Sequence, residues 1–190
     1  ERIREGMLFE AARTGPPPGF PKLADIPAGR YVDPEFLALE QDALWKRSWL
    51  YAGHTSQAAE PGSWFLTRNS GAPILIVRDL QGAFRAFYNS CRHRGGPLVT
   101  EDSGQGRGFV CSYHGWSYAL DGQLKSVRDK RDFVDLDFAC RSLVPVRCET
   151  LGSWIFINED ANAPTLFESL GPVAAELRQF DLDNLMLVHS

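Results

Sequence analysis

Two short phrases constrain this chain more than anything else in it. Cys91-Arg-His-Arg-Gly-Gly96 and Cys111-Ser-Tyr-His-Gly-Trp116 each set a cysteine, a histidine and a glycine within a few residues. Residues 94–110 separate the first histidine from the second cysteine. Thiolate and imidazole are the soft and borderline ligands that hold zinc or iron–sulfur clusters. Two loops that each offer one of both read as halves of a single metal centre, so the fold must be one that brings two loops together.

The flanking sequence supplies such a scaffold. Gly62–Arg68 and Ala72–Arg78 alternate with period two around Asn69-Ser-Gly71 and predict a hairpin. Asp79–Gly82 turns into a third strand over Ala83–Tyr88. Ser117–Leu120 and Gln123–Val127 flank Asp121-Gly122, the best short-range hairpin signal in the chain. Leu143–Cys148 and Ser153–Asn158 face each other across Leu151-Gly152. Many short strands at close spacing give a mainly β, antiparallel domain. Helical arms are expected at both ends. One covers Glu1 to about Thr14, before Gly15-Pro-Pro-Pro-Gly19 breaks it. A second starts at Asp33-Pro34 and ends near Trp49. A third begins near Pro164 and sets Leu166, Phe167, Leu170, Val173, Ala174 and Leu177 on one face. The expected division is an arm over 1–50, the cluster domain over 51–160 and a helical linker over 161–190.

Totals narrow the function. The 190 residues suit one domain, with 44% hydrophobic and 23% charged residues. A net charge of -4 gives no reason to expect nucleic acid, which wants a basic patch. No apolar run reaches membrane-spanning length, and the start carries no signal-peptide core, so cytoplasm is the expected compartment. In that setting the four cysteines point to metal chemistry or buried thiols rather than disulfides.

Zinc is the first rival for the site. Structural zinc pairs usually stand two to four residues apart, and Cys91-x-His93 is tight for that. Gly95, Gly96 and Gly115 follow the histidines closely and let the backbone aim amide hydrogens inward. Such donors suit bridging sulfides better than a lone zinc ion. The other arrangement gives one iron to Cys91 and Cys111 and the second to His93 and His114, a 2Fe-2S centre. Replacing two thiolates by neutral imidazoles raises the potential by roughly a few hundred millivolts over a four-cysteine cluster.

Here the sequence resembles the Rieske non-haem iron oxygenases, specifically the α subunit of the ring-hydroxylating type. The resemblance rests on Asn89–Gly96, Val110–Tyr118 and Leu120–Leu124, with Leu44–Gly53 upstream and Pro145–Arg147 and Gly152–Asn158 downstream. It implies an antiparallel Rieske iron–sulfur domain with a two-loop cluster-binding subdomain, and Cys91, His93, Cys111 and His114 as ligands of a 2Fe-2S cluster. Respiratory Rieske proteins look similar at the ligands but add a cysteine to each loop and a serine two residues after the second histidine. This chain has Gly96 and Ser112 or Tyr113, and Trp116, at those places. Losing a hydroxyl donor lowers the potential, in keeping with the oxygenase branch.

In that family the cluster relays electrons to a mononuclear non-haem Fe(II), held by two histidines and a carboxylate in a second domain. Downstream of His114 this chain has only His189, so that triad cannot be built within it. The resemblance therefore implies an N-terminal Rieske portion of a longer oxygenase that hydroxylates or dealkylates an organic substrate with dioxygen. Electrons would come from NAD(P)H through a flavin reductase, a ferredoxin or both. It also implies a homotrimer, with or without a β subunit, in which His93 or His114 faces a neighbour's catalytic domain. The alternative is a free-standing Rieske-type ferredoxin, which has no use for helical arms.

Other residues carry weaker signals. Trp116 and Tyr113 are placed to shield the centre or simply to pack. Arg92 and Arg94 flank a ligand and are either solvated or paired with acids on a partner. Cys140 and Cys148 read as small buried hydrophobes, and His54 as structural. The charge-rich stretch 125–141 reads as a solvated loop or, alternatively, a docking surface.

Overall fold

The computed structural model describes residues 2–17 and 19–186, so His189 lies outside the described residues. The chain divides into two units, Glu1–Leu37 and Ala38–Ser190. The first holds α1 (Arg2–Ala12) and a single 3-10 turn at Ala28–Tyr31. Neither buries a side chain. α2 (Pro34–Ala43) starts at the expected Asp33-Pro34 signal, where Asp33 accepts from the Glu35 N–H at 2.9 Å. It stops earlier than Trp49, and a 3-10 turn over Trp45–Arg47 carries the chain on.

Among the described residues, the second unit is built from ten strands. They are β1 (Leu50–His54), β2 (Ser63–Thr67), β3 (Ile74–Arg78), β4 (Phe84–Tyr88), β5 (Ser103–Gln105), β6 (Phe109–Val110), β7 (Ser117–Tyr118), β8 (Leu124–Ser126), β9 (Pro145–Leu151) and β10 (Trp154–Asn158). Seven form one antiparallel sheet in the order β1-β10-β9-β4-β3-β2-β5, and β6-β7-β8 form a second. The predicted hairpins are present. β2 meets β3 with Phe65 opposite Ile76, and β9 meets β10 with Leu151 opposite Trp154.

Side-chain alternation on β3 explains its unbroken apolar run. Leu75 and Val77 point into a core shared with Trp64, Phe87, Cys91, Cys111, Trp116 and Tyr118. Ile74 and Ile76 point the other way, into a core with Phe65, Ile155 and Ile157. Successive strand residues face opposite sides, so a strand covered on both faces must be apolar throughout. The first core joins the large sheet to the small one, and that junction places the two cysteine–histidine loops.

The C-terminal helical arm departs from expectation. Gly171-Pro172 breaks it into α3 (Leu166–Leu170) and α4 (Pro172–Leu177), because proline has no N–H to continue the first helix. The break rotates the two apolar faces apart. Leu166 and Ala174 are buried, while Phe167 and Val173 stay exposed. Thr165 and Glu168 form a reciprocal cap at the start of α3.

Past α4, the chain is tied back to the sheet by backbone carbonyls. Ser153 N–H donates to Leu182 O at 3.0 Å and Ser153 Oγ to Asp183 O at 2.9 Å. His54 Nε2 donates to Leu185 O at 3.1 Å, because its Nδ1 already accepts from the Ser56 N–H. His54 is thus structural, as expected, and holds a distant segment.

Candidate metal centre

The two ligand loops leave the scaffold at different places and fold alike. The first follows β4, and the second joins β6 to β7. In the first, the Cys91 N–H donates to Gly96 O at 2.8 Å and the Gly95 N–H to Cys91 O at 2.9 Å. In the second, the Cys111 N–H donates to Trp116 O at 2.9 Å and the Gly115 N–H to Cys111 O at 2.9 Å. Gly95 and Gly115, each four residues past its cysteine, take φ of 72° and 69°. That left-handed conformation suits glycine and is the reason both phrases carry one at that offset. Asn89 anchors the first loop. Its Oδ1 accepts from the Leu98 and Val99 N–H groups at 2.9 and 3.1 Å, and its Nδ2 donates to Val99 O at 2.8 Å. Asn89 opens the stretch that carries the resemblance, and the sequence alone assigns it no task. An amide beside a turn-rich loop was the available signal.

These loops bring the four expected ligands together in pairs. Cys91 and Cys111 are buried free thiols in one core. The His93 and His114 rings lie 4.6 Å apart, centroid to centroid. Burial pushes the Cys91 thiol up, the Tyr118 hydroxyl and the His93 backbone N–H pull it down, and the adjacent Cys111 sulfur pushes it up again. The His93 Nδ1 is buried and has no hydrogen-bond partner among the described residues, a costly state for a polar atom unless something binds it. Among the described residues, no three His, Cys, Asp or Glu side chains converge as they would on one ion. Two adjacent thiols, two adjacent imidazoles, an orphaned ring nitrogen and an amide aimed at sulfur together fit a two-metal, sulfide-bridged group.

Aromatic side chains close around the pairs. Trp116 lies flat on the His93 ring, with centroids 4.8 Å apart and planes 5° apart. Tyr113 stacks on His114 at 3.9 Å. Tyr118 is buried, and its oxygen sits 3.2 Å from the Cys91 sulfur while accepting the Arg92 N–H at 3.0 Å. That amide leaves the phenolic hydrogen free to point at sulfur. Sequence reading missed Tyr118 as a sulfur donor, because only the fold brings it back to the first loop.

Cys140 and Cys148 lie outside the centre. Cys140 corrects the expectation of a buried thiol. It is exposed, and its Sγ donates to Asp137 Oδ2 at 2.9 Å. Cys148 is half-buried, and burial pushes its thiol up to about 12.

An antiparallel β scaffold presenting two matched cysteine–histidine loops fits an iron–sulfur domain. The chain belongs to the Rieske [2Fe-2S] domain family, whose pattern matches residues 48–146. It is 37% identical over 155 residues to the benzene 1,2-dioxygenase α subunit of Pseudomonas putida, covering 78% of this chain and 34% of that one. It is 32% identical over 160 residues to the oxygenase subunit of glycine betaine monooxygenase from Chromohalobacter salexigens, covering 84% of this chain and 36% of that one. Among solved structures, the quaternary ammonium Rieske monooxygenase CntA superposes with a TM-score of 0.76 at 32% identity. That match covers 82% of this chain and 43% of CntA. The chain thus spans about a third of the length of the curated relatives it matches. Among the described residues, no helix is long and apolar enough to cross a membrane.

Proposed function

We propose that this chain is the electron-relay portion of a cytoplasmic Rieske terminal oxygenase, with Cys91 and Cys111 holding one iron and His93 and His114 the other. The observation that carries this reading is the matched pair of loops with their buried thiols and orphaned His93 nitrogen. When bound, the 2Fe-2S group supplies reversible one-electron transfer at a potential above that of four-cysteine clusters. The protein's own residues set the conditions. The Tyr118 hydroxyl and the His93 N–H aim positive dipoles at the Cys91 sulfur and favour added negative charge there. Trp116 keeps water from one face of His93, and Tyr113 covers His114 while itself remaining 63% exposed.

The three-part division carries over into this proposal: an arm over 1–50, the cluster domain over 51–160 and a linker over 161–190. A catalytic domain outside these residues would hold the mononuclear Fe(II) and the substrate, and would hydroxylate or oxidatively dealkylate an organic compound with dioxygen. The relatives support an oxygenase of either stoichiometry, one being named a dioxygenase of benzene and another a monooxygenase of glycine betaine. A flavin reductase, a ferredoxin or both would deliver electrons from NAD(P)H, and the α subunits would form a trimer, with or without a β subunit.

The test is purification under reducing, oxygen-free conditions with iron and acid-labile sulfide assays. A reddish-brown protein with equal iron and sulfide is expected. A colourless protein with stoichiometric zinc overturns the ligand reading. Oxygen uptake by the intact gene product with a reductase then separates an oxygenase from a free-standing carrier.

Tyr118→Phe tests the tuning role. The substitution keeps the ring in its buried site and removes the hydrogen aimed at sulfur. A hydrogen bond to a charged group is worth about 1.5–3 kcal/mol, and only the part that differs between redox states shifts the midpoint. The expected result is a midpoint lower by tens of millivolts, on the order set by about 59 mV per tenfold for one electron. Spectroelectrochemical titration checks it, and an unchanged midpoint removes Tyr118 from the tuning set.

A further inference from the structure

The charge-rich stretch over 125–141 is more than a solvated loop. Lys130, Arg131 and Asp132 are exposed, yet Phe133, Leu136 and Phe138 pack against the core that holds Cys91, Cys111 and Trp116. Asp129 and Asp135 take φ of 53° and 57°. Left-handed backbone is uncommon for a residue with a side chain, although aspartate tolerates it better than most, and the two aspartates bracket a tight turn of the chain. Phe133 lies between them and is the inserted side chain.

Its ring meets both members of a stacked pair. Phe133 presents its ring edge-on to His93 at 5.9 Å and 82°, and to Trp116 at 5.6 Å and 77°. Trp116 itself lies flat on His93. His93 is therefore held in a corner between two apolar rings, whereas the cover on His114 is the largely exposed Tyr113. The two imidazoles occupy unlike surroundings, and the charged loop supplies one of the two rings around His93.

We propose that Phe133 is a positioning residue that clamps the His93 ring against Trp116 and excludes water from that side of the centre. This rests on His93 being a cluster ligand, as proposed above. Adding an electron adds negative charge, which water stabilises better than an aromatic ring does. Solvent exposure is one of the levers on cluster potential, so the shield holds the midpoint down.

The test compares Phe133→Ala and Phe133→Leu with the unsubstituted, cluster-loaded protein. Midpoints are read by redox titration, and water near the reduced centre by pulsed EPR deuterium modulation in D2O. Phe133→Ala is expected to shift the midpoint upward and increase the deuterium signal. Phe133→Leu, which refills most of the volume, is expected to fall between. A fully loaded Phe133→Ala protein with unchanged midpoint and unchanged deuterium signal overturns the proposal. If Phe133→Ala does not fold, Phe133→Leu decides alone: both readouts rise, or the proposal fails. A colourless unsubstituted protein is a different failure, since it overturns the ligand assignment first and this proposal with it.

Discussion

Cys111→Ser is expected to yield a folded, colourless protein with iron and acid-labile sulfide near zero. Serine preserves the size of the side chain and the loop's backbone bonds, because the Cys111 N–H to Trp116 O and Gly115 N–H to Cys111 O pairs involve no side chain. Cys111 shares a core with Leu75, Val77 and Phe87, but serine is nearly the same size, so far-UV circular dichroism should match the unsubstituted apoprotein. What disappears is a soft thiolate, and a hydroxyl is a poor substitute toward iron–sulfur iron. Cys91→Ser should behave alike. The control is built into the chain: Cys140, exposed beside Asp137, and Cys148, half-buried on β9, lie outside both loops. Cys140→Ser and Cys148→Ser should keep full iron and an unaltered visible spectrum. Full iron in Cys111→Ser, or lost iron in the Cys148 variant, would redraw the ligand set.

How far this was legible beforehand depended on the range of the interactions. The two cysteine–histidine loops were readable as tight turns because the signal is local: a cysteine, a histidine and a glycine stand within six residues. The β2–β3 and β9–β10 hairpins were readable for the same reason, since alternation and turn residues are neighbours in the chain. Tyr118 was not, because its role depends on a strand bringing it 3.2 Å from a sulfur 27 positions earlier. Phe133 was hidden by its company, since charged neighbours dominate a composition-based reading and conceal the inward-facing apolar side chains. Cys140 erred in the opposite direction. Cysteine is usually buried, but this one sits beside a carboxylate that its thiol can reach. The apolar face drawn across 166–177 failed because helical periodicity assumes an unbroken axis, and Gly171-Pro172 breaks it.

Asp79→Ala should destabilise the domain by about 2–4 kcal/mol, well above the usual effect of a turn substitution. Asp79 sits in the β3–β4 turn with only 1% of its surface exposed. Its Oδ1 accepts from the Gln81 and Ala83 N–H groups, both at 2.9 Å, and its Oδ2 accepts from Arg85 Nε at 2.7 Å. Alanine removes every acceptor and strands two turn amides. Arg85, whose side chain is 45% exposed, can return to water at little cost. Burial alone would raise the Asp79 carboxyl, but the Arg85 guanidinium and the Ala83 and Gln81 amides outweigh it and hold it below the usual carboxylate value. A carboxyl whose folded pKa is depressed stabilises fully above its unfolded value, about 3.9, and loses that contribution as pH falls through the folded value. The stability gap between the unsubstituted protein and Asp79→Ala is therefore expected to be flat from neutral pH down to about 5 and to shrink below about 4. Asp79→Asn keeps one acceptor oxygen for the turn amides and loses the charge facing Arg85, so its deficit should be smaller and its acid dependence reduced. Urea unfolding of the three apoproteins across that pH range measures the gap directly. A gap of the same size at pH 3 and pH 7 would show that the turn depends on the shape of Asp79 and not on its charge.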